Sequence, residues 1–234
     1  MKKNQYFNSA SAKGVTLIEL AIVIMVIGLV IGSVLAGKEL VRQSKVGSQI
    51  AQFGYFKSAI DRFKERYGCI PGDYNEAVRV LGAVNEGNCD KKLGNNGVGS
   101  DEEDGGFWEQ LSLSKLINET YAYTAPGCDT APYGVQCPAT KYGKNLNIMA
   151  EYLSLGFGPA VYGAGNGLSV NDGAVASWVA KAIDVKMDDG QPHYGNIISM
   201  GSLCMVDDKT YDLRPGEETD CKLTYFFETP SSSW

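Results

Sequence analysis

Few side chains in this 234-residue sequence offer reactive or ligating chemistry. Cysteines stand at Cys69, Cys89, Cys128, Cys137, Cys204 and Cys221. None forms a C-x-x-C pair, and His193 is the single imidazole, so a zinc site has too few partners. An even cysteine count in an exported chain reads as three disulfides, which need an oxidising compartment such as a bacterial periplasm or the cell exterior. Six cysteines allow fifteen pairings. Closeness along the chain favours Cys128 with Cys137, Cys204 with Cys221 around the Pro215-Gly216 turn, and Cys69 with Cys89.

A Ser-His-Asp triad would have to use His193, which lies in the turn-like stretch Asp189-Gly190-Gln191-Pro192-His193. The sequence holds no G-x-S-x-G, P-loop or H-E-x-x-H motif, and Gly163-Ala164-Gly165-Asn166-Gly167 lacks the spacing of a nucleotide loop. No enzyme is expected. Acids cluster at Asp101, Glu102, Glu103 and Asp104, again at Asp207, Asp208 and Asp212, and a third time at Asp188 with Asp189. Calcium favours such oxygen ligands, but none of these has EF-hand spacing and acid runs are usually solvated turns. Calcium is therefore a weak candidate at Asp101, Glu103, Asp104, Asp207, Asp208 and Asp212, and no cofactor is expected.

One acid is placed differently. Glu19 sits near the start of Val15 to Gly37, a run otherwise apolar except for Thr16 and Ser33. At about 1.5 Å per residue the run can span the ~30 Å hydrocarbon core of a bilayer. Its fourteen Leu, Ile and Val residues contribute about −7 kcal/mol to insertion, against about +3 for the one acid. An ordinary secretory signal, cut near Ala36, or a plain signal anchor would share this run, but neither needs a carboxylate there. An intramembrane acid is expensive and marks function. No other feature of the sequence accounts for it.

The elements around Glu19 follow from charge and periodicity. Residues 1–14 are polar and carry Lys2, Lys3 and Lys13, which hold them in the cytoplasm and send the rest of the chain outward. Beyond the apolar run, Val46, Ile50, Phe53, Phe56, Ile60, Phe63 and Tyr67 recur at spacings of three and four, one face of an amphipathic helix. Lys45, Gln49, Gln52, Lys57, Asp61, Lys64 and Glu65 supply the polar faces. Gly68 and Pro71 stop the helix. The expected division is a leader over 1–14, a transmembrane helix half over 15–37, an amphipathic continuation over 38–68 and a disulfide-stapled globular head over 69–234. With 44% hydrophobic residues, 21% charged residues and 28 glycines, the head should be ordinary in composition and rich in turns. The net charge of −6 argues against a nucleic-acid groove, which needs clustered Lys and Arg.

The run Lys13-Gly14-Val15-Thr16-Leu17-Ile18-Glu19-Leu20 resembles the processing motif of type IV prepilins and type II secretion pseudopilins. The resemblance implies that a prepilin peptidase cuts between Gly14 and Val15 and methylates the new amino terminus. It implies partners in other pilin subunits through the N-terminal helix and in an inner-membrane assembly platform. Localisation would be single-pass in the bacterial inner membrane with the head in the periplasm, then in a pilus or pseudopilus. Val15 departs from the commoner phenylalanine or methionine, and Ala36 stands where many pilins carry a helix-bending proline. Once cleavage leaves a charged amine at Val15, Glu19 of one subunit can meet the amine of its neighbour in a staggered array and set the register. The resemblance is specific over about residues 13–37. The Tyr67-to-Asp73 turn, Phe107-Trp108-Glu109-Gln110-Leu111 and Ile183 to Gly190 are more loosely similar to pilin-like proteins, and major pseudopilins bind calcium in a C-terminal loop.

The expected fold class is α+β: a long N-terminal helix packed on a loop-rich head with a small antiparallel sheet. Short helices are expected at Tyr74 to Leu81, Gly106 to Ile117 and Gly173 to Ala182, a loop at Gly94 to Gly106, and strands at Gly195 to Met205 and Lys222 to Glu228. The expected function is a structural subunit of a type IV pilus-like filament. A type II secretion pseudopilin is the alternative, and a membrane-anchored periplasmic enzyme or binding protein lies outside both.

Overall fold

An apolar run with no proline, continued by a 3.6-residue stripe, forms one uninterrupted helix. In the computed structural model α1 runs Leu17–Tyr67, and Gly32 and Gly37 lie within it. Gly68 ends it in the left-handed region at φ 78°, where a residue without Cβ is unstrained, and donates its N–H to Lys64 O at 2.9 Å. The structure describes residues 14–93, 101–123, 128, 134–142, 148–157, 160–201, 203–213 and 221–228. The chain divides into two compact units, Met1–Gln43 and Ser44–Trp234, at a point within α1. The second unit thus takes in the amphipathic part of the helix as well as the head.

In that second unit α1 buries Val46, Phe53, Phe56, Ile60 and Phe63 of the stripe, half-buries Ile50 and Tyr67, and also buries Ala59. Gln49 is a correction, because it is buried rather than on a polar face. Its amide is satisfied locally: Lys141 N donates to Oε1 at 2.9 Å, and Nε2 donates to Gln52 Oε1 at 3.1 Å. A buried amide with both ends bonded escapes most of the desolvation penalty.

The remaining elements are α2 (Ala77–Leu81), α3 (Asp101–Leu113), β1 (Ile148–Phe157), β2 (Ala160–Val175), α4 (Ser177–Met187), β3 (Ile197–Met200), β4 (Met205–Asp207), β5 (Thr210–Tyr211) and β6 (Cys221–Phe226). Four strands make one antiparallel sheet in the order β1-β2-β6-β3, and β4 pairs with β5. Fold class is α+β, with the long helix and small antiparallel sheet expected.

Two local expectations fail. Residues 101–106 are helical, not loop, and residues 94–100 lie outside the described residues. Four acids opening α3 suit the positive end of a helix dipole, so what read as a solvated run is a helix start. The segment Gly173 to Ala182 is strand up to Val175, and its helix begins at Ser177 and continues to Met187. Gly163 to Gly167, which lacks the spacing of a nucleotide loop, lies within β2. A Cβ at Gly167 would stand 2.7 Å from Thr224 Cγ2, and one at Gly165 would stand 3.2 Å from the Phe226 ring. The glycines are there because the neighbouring strand leaves no room for side chains.

The main core lies between the sheet and the helices of the second unit. Phe56 meets Trp108 edge-on at 4.7 Å between centroids, and Phe53 lies 5.6 Å from Tyr225. On the other side of the sheet, Ile198 and Phe226 form a second small cluster with Met200.

Candidate functional site

The first unit presents its apolar residues outward. Val15 is 73% exposed and Leu17 88%, and every large hydrophobic residue from there to Val41 is exposed. The helix is long and apolar enough to cross a membrane, and none of its most apolar window is buried. Gly14 and Val15 lie in non-helical backbone just before α1, both exposed.

Glu19 has a local role that sequence reasoning missed. Thr16 N and Thr16 Oγ1 both donate to Glu19 Oε2 at 2.8 Å, and Glu19 N lies 3.3 Å from Thr16 Oγ1. This is a reciprocal capping box, with Thr16 as N-cap and Glu19 three residues on. The signal was the Thr-x-x-Glu spacing ahead of an apolar run. The expectation that nothing else accounts for the acid is therefore corrected. A free helix N-terminus leaves orphan N–H groups, and Glu19 satisfies one of them.

In the head the three disulfides join Cys69 to Cys89, Cys128 to Cys137 and Cys204 to Cys221, with Cα–Cα distances of 5.4, 5.7 and 5.0 Å. The first closes the loop after α1, and buried Asp73 organises that loop from inside. Its carboxylate accepts from Asn88 N at 3.2 Å, Cys89 N at 2.7 Å and Lys91 N at 2.7 Å. Burial pushes the Asp73 carboxyl up, and these three N–H groups pull it back down. Phe107 to Gln110 holds the same loop from the other side. Phe107 and Trp108 enter the core, Glu109 accepts from Val84 N at 2.9 Å, and Gln110 Oε1 accepts from Gly72 N at 2.8 Å. Asn166 of β2 closes the arrangement. It accepts from Leu93 N at 3.1 Å and donates to Lys91 O at 2.8 Å and Glu228 Oε2 at 2.9 Å. Glu228 in turn pairs with Lys64 of α1.

The acids after α4 are similarly tied to backbone. Asp188 Oδ2 accepts from Asn196 N and, at 2.9 Å, from Ile197 N. Gly195 sits against that carboxylate, where a Cβ would collide with it. Fully buried Asp184 accepts from Gly190 N at 3.0 Å and from the Tyr211 hydroxyl at 2.8 Å. Carboxylate oxygens of Asp184, Asp188 and Asp189 lie within 4.8 Å of one another. Burial pushes the Asp184 carboxyl up to about 7, the two neighbouring acids push the same way, and the Tyr211 and Gly190 bonds oppose them. Burial also raises the Tyr211 phenol well above its ordinary range.

Among the described residues, Asp207, Asp208 and Asp212 do not form a group with oxygens gathered this closely. Asp207 accepts from Lys209 N at 2.9 Å, Asp208 lies 3.1 Å from His193 Nδ1, and Asp212 is buried. The side chains of Asp101, Glu103 and Asp104, the other calcium candidates, lie outside the described ones. His193 is itself buried. No protein-family model, curated protein or solved structure matches the chain.

Proposed function

We propose that this chain is a filament subunit of the type IV pilin and pseudopilin class, anchored in the bacterial inner membrane and processed between Gly14 and Val15. One observation carries the reading. A single helix joins an exposed apolar run, headed by one carboxylate, to a striped half packed into a disulfide-stapled head. The exposed run needs hydrocarbon or other helices to cover it. The backbone at Gly14 and Val15 is exposed and not helical, as a peptidase substrate must be.

The capping box fits this reading and refines it. Thr16 and Glu19 both lie after the cut, so the box survives processing. In a lone subunit it gives the carboxylate two donors within the apolar environment, which lowers the cost of carrying it there. In the filament the terminal amine of a neighbouring Val15 supplies the opposite charge. Assembly then exchanges a local hydrogen-bonded state for an intersubunit ion pair. Surface adhesion or motility fibres and short secretion fibres both use such a subunit, and the three disulfides suit a head exposed to oxidising surroundings.

Mass spectrometry of the protein extracted from the membrane tests the reading. Val15, carrying one methyl group, is the expected first residue. A first residue at Gly37 or Lys38 would identify a conventional signal peptide, and an intact Met1 to Gly14 would identify a plain anchor. Either result overturns the proposal.

A further inference from the structure

We propose that Asp184, Tyr211 and Ser199 form a proton-binding site in the head: the buried Asp184 carboxyl holds a proton, and losing it loosens α4 from β3 and β5. The proposal rests on the second unit alone and is independent of the filament reading.

The geometry leaves Asp184 poorly equipped to be charged. It is fully buried, and among the described residues its carboxylate's partners are one backbone N–H and one phenol. Among the described residues no lysine or arginine forms an ion pair with it. Two more carboxylates, Asp188 and Asp189, stand within 4.8 Å of its oxygens. Asp188 cannot retreat, because the N–H groups of Asn196 and Ile197 hold it. Of the elements packed on α4, β5 presents Tyr211 and β3 presents Ser199, which is uncharged. In β6, Lys222 is committed to Glu151 at 2.8 Å, and Tyr225 is the remaining titratable group. Three carboxylates without a cation paired to the buried one are a setting in which one keeps its proton.

The hydroxyl geometry supplies the acceptor. Tyr211 Oη lies 2.8 Å from Asp184 Oδ2 and 2.9 Å from Ser199 Oγ, yet a phenol has one hydrogen. With Asp184 protonated, the acid donates to Tyr211 and Tyr211 donates to Ser199, so one directed chain joins α4, β5 and β3. With Asp184 ionised, the chain reverses, Ser199 donating to Tyr211 and Tyr211 to the carboxylate, and it is the charge, repelled by Asp188 and Asp189, that loosens the packing. An unfolded aspartate titrates near 4, whereas here the carboxyl is pushed up to about 7. Between these values the folded chain holds the extra proton. The stability it confers is complete below the lower value and is lost as pH rises through the upper.

The test uses the full chain in detergent micelles with ¹³C-labelled aspartate carboxyls, as wild type and as Asp184→Asn. The asparagine amide stands where the protonated acid's hydroxyl would and can donate to Tyr211. One wild-type carboxyl should titrate near neutral pH, and that signal should be missing from Asp184→Asn. The wild-type Tm should fall more steeply than the variant's between pH 5 and 8. Aspartates that all titrate in the ordinary acid range, or parallel Tm profiles, would overturn the proposal. Should Asp184→Asn not fold, Tyr211→Phe decides: the phenol's bond to the charged carboxylate is stronger than the one it accepts from the neutral acid, so its loss must move the midpoint upward. An unchanged or lower midpoint overturns the proposal.

Discussion

Glu19→Gln separates the two jobs that this position can perform. The substituted amide keeps a carbonyl oxygen able to accept from Thr16 N and Thr16 Oγ1, which both now reach Glu19 Oε2 at 2.8 Å. The capping box therefore survives, and glutamine is itself a residue that such boxes use. What disappears is the charge. If capping is the acid's whole contribution, the change costs a fraction of the ~1 kcal/mol that a cap is worth. If the carboxylate pairs with a neighbour's amine in a low-dielectric bundle, removing one partner costs about 3–5 kcal/mol per contact, or at least a hundredfold in the assembly equilibrium. Thr16→Ala is the complement: it removes the hydroxyl from the box, keeps the charge and should cost about 1 kcal/mol. Sheared-filament yield, measured beside the membrane level of each variant as sole subunit, reads both effects. Glu19→Gln should reach the membrane normally and give few filaments, while Thr16→Ala should lose much less. Normal filaments from Glu19→Gln would refute the ion pair and leave the carboxylate as a cap alone.

Two predictions concern the head, each read as a denaturation midpoint of the full chain in micelles. Asp73→Ala removes the carboxylate that accepts from Asn88 N and Lys91 N, while Cys89 N keeps its second acceptor, Asp73 O at 2.8 Å. Stability should fall by about 2–4 kcal/mol even with the Cys69–Cys89 disulfide intact, and an unchanged midpoint would show that the disulfide alone fixes the loop. Gly167→Ala drives a methyl against Thr224 Cγ2 and should cost about 1–3 kcal/mol. Adding Thr224→Ser removes that Cγ2, keeps the hydroxyl that now lies 2.8 Å from Ser169 Oγ, and should recover most of the loss; no recovery would place the strain elsewhere.

What the sequence revealed was whatever is local or periodic. The apolar run and the stripe from Val46 to Tyr67 determine α1 because each residue's surroundings repeat every turn. The three disulfides follow chain proximity, because each joins cysteines no more than 20 residues apart. Strands β1 and β2 were hidden for the opposite reason. Gly165 and Gly167 answer to Thr224 and Phe226, roughly sixty residues away, and glycine in isolation reads as loop. Gln49 looked like a solvent-facing residue because its partner Lys141 N is 92 positions distant. In the exposed apolar segment Glu19 was legible as an oddity. Its bond to Thr16 is equally local, carried by the Thr-x-x-Glu spacing. Asp184 could not be found from sequence, because only the fold removes water from around it.

Strand β6, the last in chain order among the described strands, lies between β2 and β3, not at a margin of the sheet. During synthesis β1, β2, α4 and β3 emerge before it. Until Cys221 to Phe226 arrive, one edge of β2 is unsatisfied, β3 has no neighbour in this sheet, and Leu168 and Ile197 lack the strand they flank. A chain broken off before Cys221 also loses the partner of Cys204, so an unpaired thiol and open strand edges mark such a copy together. The four-stranded sheet closes only when a late-emerging strand takes an interior place.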